Sequence, residues 1–247
     1  MKVAAPGSLE ALDLIRERVA WCESEGVCVL CCPEAILGGL ADYWPSPAEL
    51  AIGTDNGELP AILAPLASKS VTSIVGFTEV DRNGQLYNSA AIFHLGRVAG
   101  VYRKLHPAIR RSVYCAGIDI PVFQVEELIF GVVICNDSNF SEPAQLMAAR
   151  GATVLLLPTN NGLPMDRAST ELAAEARTAD IARARENRMW VIRADVAGQS
   201  GQIMSYGTSE IVDPSGSIVA QAKPLTTGIL VTEIRASKAG SDLVQSF

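Results

Sequence analysis

Histidine is scarce in this 247-residue chain, which has two, and aromatic residues make up only 6% of it. It has no run of basic residues, and lysine plus arginine number 20 against 27 aspartate plus glutamate, for a net charge of −7. A nucleic-acid partner needs a basic face to neutralise its phosphates, so the balance argues against one. Long apolar runs are missing too. The longest are of strand length, short of the ~20 residues that cross a bilayer, so no membrane association is expected. Near the start, Lys2 is followed by Glu10 and Asp13 where a signal peptide carries its apolar core, and the expected location is cytoplasmic. The six cysteines form no disulfide framework. Cys28 and Cys31 match C-x-x-C, but they lie in a strand-like run, whereas a redox pair belongs at a helix N-terminus. A zinc site would need a second ligand pair that two scattered histidines do not supply. No metal is therefore expected.

What the chain does have is 49% hydrophobic and 19% charged residues, the balance of a compact globular protein. A chain this long buries roughly 70–75% of its unfolded surface and needs no staple. A helix is expected from Ser8 to about Glu25, closed by Gly26. The apolar run Val27 to Cys32 then reads as a buried strand, and residues 38 to 57, rich in Gly and Pro, as a long loop. A helix from about Leu59 to Ser68 precedes strands at Val71 to Val80, Leu86 to Leu95 and Val98 to Tyr102, the first two joined by the Asp81 to Gly84 turn. Strands at Val122 to Val125 and Thr153 to Leu157 and helices at Glu142 to Arg150 and Ser169 to Asn187 follow. Met189 to Ala194, Ser209 to Val212, Ile218 to Ala222 and Ile229 to Ile234 read as closing strands. Helices alternate with strands throughout and no linker divides them, so one α/β domain over 1–247 is expected.

The most informative stretch is Leu128 to Glu142. Ile129 to Ile134 is apolar on both alternating faces, the pattern of a strand buried on both sides. It stops at Cys135, Asn136-Asp137-Ser138 supplies turn residues, and Ser141 is placed to cap a helix with Pro143 in its first turn. A cysteine on such a bend is presented at the carboxyl edge of a sheet, with backbone N–H groups facing whatever it attacks. The other reading is a small core residue that ends a strand. Glu34 and Lys104 also come directly after strand-like runs, so all three side chains could converge outside the strand ends of one α/β structure.

The segments PEAILGG around Glu34, YRKLHP around Lys104 and GVVICNDSNFSE around Cys135, in that order, resemble the three signature blocks of the nitrilase, or carbon-nitrogen hydrolase, superfamily. Leu86-Tyr87-Asn88-Ser89, Ala184-Arg185-Glu186-Asn187 and the run Gly207 to Gly216 extend the resemblance over essentially the whole chain. It implies a four-layer αββα sandwich and a Glu-Lys-Cys triad that hydrolyses non-peptide C–N bonds, by way of a thioester on the cysteine. Glu34 would move the protons, Lys104 and the backbone N–H of Asn136 would hold the oxyanion, and Cys135 would attack. The implied substrate is a small linear amide or N-carbamoyl compound, nitriles being the minority activity. The alternative is a catalytically quiet member that binds a small ligand or a protein partner. The family's dimers imply a homodimer or higher homo-oligomer through the helices at about 142–150 and 169–187.

Three features depart from the family pattern. Arg110 stands where many members have a second glutamate, so it either turns outward or pairs with a substrate carboxylate. Asn139 replaces an arginine common after the nucleophile. At the N-terminus, Met1 to Ala5 leaves little room for the usual first strand. Asn160 and Asn161, directly after a strand, are candidate substrate contacts, and the loops 38–57 and Asn160 to Ala168 are expected to shape the pocket.

Overall fold

The computed structural model describes residues 10–165, 170–200 and 202–234. The chain runs through α1 (Glu10–Glu25), β1 (Val29–Cys31), β2 (Ile52–Gly53) and α2 (Glu58–Leu63) into β3 (Thr72–Val80), β4 (Leu86–His94) and β5 (Arg97–Arg103). Then come β6 (Val122–Val125), β7 (Leu128–Val132), α3 (Ser141–Ala149), β8 (Val154–Thr159), β9 (Leu163–Pro164) and α4 (Thr170–Asn187). The closing strands are β10 (Trp190–Asp195), β11 (Ala197–Ser200), β12 (Ile203–Tyr206), β13 (Glu210–Val212) and β14 (Ile218–Gln221).

Two mixed sheets form the centre. One has the order β1-β3-β4-β5, with β2 also on β3; the other has the order β14-β13-β10-β8-β7-β6. Strand alternation sorts the apolar residues of the first sheet. Ile74, Ala90, Ile92 and Tyr102 pack with Phe130 and Val132 of the facing sheet. Their neighbours Val75, Phe77, Ala91 and Phe93 pack on the other side against Ile15, Val19 and Cys22 of α1 and Leu59 and Leu63 of α2. On the second sheet, a Cβ at Gly131 would lie 2.3 Å from Met147 Sδ, so this position is kept bare for α3 to lie on β7. Helices outside, sheets inside: the protein is the expected four-layer αββα sandwich.

Several expectations change in detail. Ser141 does not cap α3; it is the first helical residue, and Phe140 holds the cap position without a side-chain bond. The expected strand from Val27 to Cys32 is shorter, and residues 229–234 are not a strand. The 38–57 loop holds two short 3-10 helices and β2. A small sheet of order β11-β12-β9 was not expected; Gly198, Gln199 and Gln202 give that segment a polar, turn-like composition that hides its pairing. Ser8, Met1 to Ala5, Ser169, part of the Asn160 to Ala168 loop and the polar C-terminal stretch lie outside the described residues. Among the described residues no helix is long and apolar enough to cross a membrane.

Candidate active site

After β1 the chain turns over β3, with Cys32 N–H donating to Ile74 O (2.9 Å) and Leu37 N–H to Gly76 O (3.1 Å). Gly76 permits this approach, since a Cβ there would sit 2.4 Å from Pro33 O and 2.6 Å from Ala35 N. Ala35 accepts a positive φ of 45°, a conformation that side chains disfavour. The turn drives Glu34 between the sheets, where it is 1% exposed. Its Oε1 accepts from Lys104 Nζ (2.6 Å) and Asn88 Nδ2 (2.7 Å), and its Oε2 accepts from the backbone N–H of Asn160 (2.8 Å). One carboxylate thus ties β4 and the end of β5 to the end of β8 across the sandwich.

Lys104 follows β5, and its N–H continues the ladder to Asn88 O (2.8 Å). Burial works against its charge, but Glu34, with Cys135 and Asp137 behind it, raises the ammonium above its ordinary range. Glu34 takes one of its three protons, and no other acceptor among the described residues takes the remaining two.

Cys135 opens a 3-10 helix, Cys135–Asn139, with φ at +47°. Asp137 holds this bend. Fully buried, it accepts from Ile134 N–H (3.1 Å), Tyr102 OH (2.8 Å) and His106 N–H (2.8 Å), so the turn is clasped to the chain on both sides of Lys104. The ring of Phe140 stacks on His106 at 3.7 Å, and Asn136 Nδ2 donates to His106 O (3.1 Å). The thiol of Cys135 donates to Asn161 Oδ1 (3.4 Å). Burial, then the charge of Glu34, push it up to about 12 against the pull of Lys104 and Arg193. At neutral pH it is therefore a thiol, and a nucleophilic role requires a base.

Glu34, Lys104, Cys135, Asn136, Asn160 and Asn161 line one cavity of about 300 Å³. These are six of the seven residues singled out from the sequence. The seventh, Arg110, is exposed and lies outside the wall, which Pro107, Ala108 and Ile109 form in its place. Asn139 borders the cavity, as do Leu40, Asp42 and Tyr43 of the Gly-rich loop. That loop is pinned where Ala41 N–H donates to Tyr114 OH (2.7 Å). Among the described residues no group of His, Cys, Asp or Glu is arranged to hold a metal ion.

Four supporting residues were not singled out from the sequence. Asp137 is the clasp already described. Asp195 accepts from Asn161 N–H (3.1 Å) and from the Thr208 N–H and OH (2.8 and 2.7 Å), orienting the asparagine that meets the thiol. Arg193 also lines the cavity, held by Asp180 in a two-point contact (2.6 and 2.7 Å). Asn88 is the fourth, and its signal was a polar residue on the same strand face as Ala90 and Ile92.

The family model for carbon-nitrogen hydrolase matches residues 4–242. The chain is 31% identical over 201 residues to the "hydrolase in pqqF 5′ region" of Pseudomonas protegens, covering 78% of this chain and 67% of that protein. It is 32% identical over 174 residues to the N-carbamoylputrescine amidase of Arabidopsis thaliana, covering 64% of this chain and 58% of the relative. Among solved structures, the carbon-nitrogen hydrolase of Helicobacter pylori superposes with a TM-score of 0.78 at 22% identity, over 90% of this chain and 84% of that one. At that identity the likeness is one of fold.

Proposed function

The chain belongs to the carbon-nitrogen hydrolase family, and from that premise we propose that it hydrolyses the C–N bond of a small linear amide or N-carbamoyl compound through a thioester on Cys135. The observation that carries this reading is the buried 2.6 Å contact of Glu34 with Lys104 in the cavity that Cys135 also lines. Glu34 takes the Cys135 proton as sulfur attacks the carbonyl carbon, and the carbonyl π pair moves to oxygen. Lys104 and the backbone N–H of Asn136 hold that oxyanion. On collapse the C–N bond breaks, and Glu34 returns the proton to the departing nitrogen. Water, deprotonated by Glu34, then cleaves the thioester, the sulfur recovers a proton, and the acid leaves. No step calls for a cofactor.

The cavity volume, about 300 Å³, suits a short acyl chain. Among the described residues its two wall cations, Lys104 and Arg193, already face Glu34 and Asp180, while Asp42 and Glu175 also belong to the lining. A neutral or cationic distal group fits this wall better than a carboxylate, since Arg110 stands outside it. The test is ammonia release from amides, ω-amides, N-carbamoyl amino acids and nitriles, by wild type and by Cys135→Ala. Turnover that vanishes in the variant, with an acyl adduct on Cys135 in the wild type by mass spectrometry, is expected. Silence across the panel from folded protein would shift the reading to a ligand-binding member. The assembly expected is a homodimer that covers Phe140 and Leu146, exposed at the start and on the face of α3. Light scattering that gives a monomer at micromolar concentration would remove it.

A further inference from the structure

The cavity carries more negative charge than its chemistry uses. Among its described lining residues, Lys104 is matched by Glu34 and Arg193 by Asp180, which leaves the carboxylates of Asp42 and Glu175. No ion pair among the described residues includes either, and the exposed Arg110 and Arg111 form none with them. Asp42 is partly buried and has only neutral partners. Its Oδ1 accepts from Ser112 OH (2.9 Å) and Val113 N–H (2.8 Å), and its Oδ2 shares the Ser112 hydroxyl at 3.0 Å. An asparagine oxygen in the place of Oδ1 would hold the same two donors, so the clasp on the 107–114 segment does not account for the charge. The next residue ties Asp42 to the triad. Burial first, then the charges of Asp42, Glu34 and Cys135, push the Tyr43 phenol up, so one lining side chain lies within electrostatic reach of both the carboxylate and the nucleophile.

We propose that Asp42 binds a cationic group at the end of the substrate remote from the scissile bond, so that the preferred substrates are short linear amides or N-carbamoyl compounds that end in an ammonium or guanidinium. The inference rests on the hydrolase reading and names its substrate class. It reverses the charge that Arg110 suggested: that cation stands outside the wall, and the distal charge the wall can match is positive. A distal ammonium meets Asp42 Oδ2, which keeps room beside its one shared donor, in a charge-assisted bond, and Glu175 adds to the field. Without an anion to meet, a buried ammonium loses its water for nothing and binds less well than a methyl of the same shape. The sign of the preference therefore reports the carboxylate.

The experiment pairs γ-aminobutyramide with pentanamide, and an ω-aminoalkyl urea with its alkyl counterpart, so that each pair sets a terminal ammonium against a terminal methyl at nearly equal shape. In wild type and Asp42→Asn the readout is the ammonium-to-methyl ratio of kcat/KM. A smaller folded fraction or a disturbed triad lowers both members of a pair together and divides out of the ratio. Wild type is expected to prefer the ammonium, and Asp42→Asn to lower the ratio by about tenfold, the loss of one charge-assisted hydrogen bond. A wild-type preference for the methyl, or a ratio that Asp42→Asn leaves unchanged, overturns the proposal. Should Asp42→Asn not fold, or no pair be turned over, calorimetry of the same pairs on Cys135→Ala decides it: the ammonium is expected to bind about tenfold tighter, and equal or weaker binding overturns it. Because the binding arm needs no turnover, it separates failure of this inference from failure of the hydrolase reading.

Discussion

Arg103 and Lys104 are neighbours in the chain, each 2.6 Å from a glutamate that is 1% exposed, and they do opposite work. Successive residues at the end of β5 point to opposite faces, so Arg103 goes to the outer side and Lys104 between the sheets. The Arg103 side chain is 37% exposed, bonds Glu79 through Nε and Nη2, and lies 3.9 Å over the ring of Tyr87. Glu79 also accepts from Ser89 OH (2.6 Å) and Thr54 OH (3.0 Å). Both Glu79 oxygens are thus filled, and the free donors of Arg103 face water, so the cluster locks neighbouring strands. The Lys104 side chain, 4% exposed, spends one donor on Glu34 and faces a cavity with the rest. Ion-pair distance does not separate a structural pair from a reactive one. What separates them is how much hydrogen-bonding capacity remains and whether it meets open space.

The largest effect is expected from Glu34→Gln. Loss of the base should lower kcat/KM per folded molecule by about 10³-fold, and the orphaned ammonium should cost stability as well. The same change should slow alkylation of Cys135 by iodoacetamide at pH 8. Burial is the largest cause that holds the thiol high, so it stays protonated without Glu34 and lacks the base that takes its proton as sulfur attacks. Unchanged or faster alkylation, followed by mass spectrometry, would remove Glu34 as the base. Glu79→Gln should do the reverse: a thermal-melt loss of about 1–3 kcal/mol with turnover per folded molecule kept. If its activity fell without a loss of stability, the contrast between the two pairs would collapse. Smallest of all, Arg110→Ala should change KM for carboxylate-bearing amides by less than about twofold, as expected for an exposed charge screened by water. A large rise in KM would return Arg110 to the substrate.

Cys135, Glu34 and Lys104 could be found in the sequence because each ends an apolar run, and a polar or nucleophilic residue at a strand end is a visible break in a period. Asn160 and Asn161 were found by the same break. Asn88 and Asp137 were not singled out for a different reason. Asn88 is one polar residue inside a strand, where alternation alone does not say which face holds a cavity, and Asp137 looks like an ordinary turn residue until its carboxylate is seen to join its own turn to Tyr102 and His106. Arg110 shows the converse. Its chemistry was plain, but the path of the 107–114 segment was not, and that path left it in solvent.

The order of the main strands and helices, the short β2 and the β9, β11 and β12 strands apart, the buried character of both sheets and the three residues at their ends were determined by the sequence alone, because periodicity, turn residues and strand ends are local properties. Which of those residues share a cavity was decided only by the tertiary structure. Glu34 meets Asn160 across 126 positions of chain and Lys104 across 70. Such contacts depend on how two twisted sheets stack and on a glycine at 76 that lets one turn lie against a strand, and no local pattern encodes either.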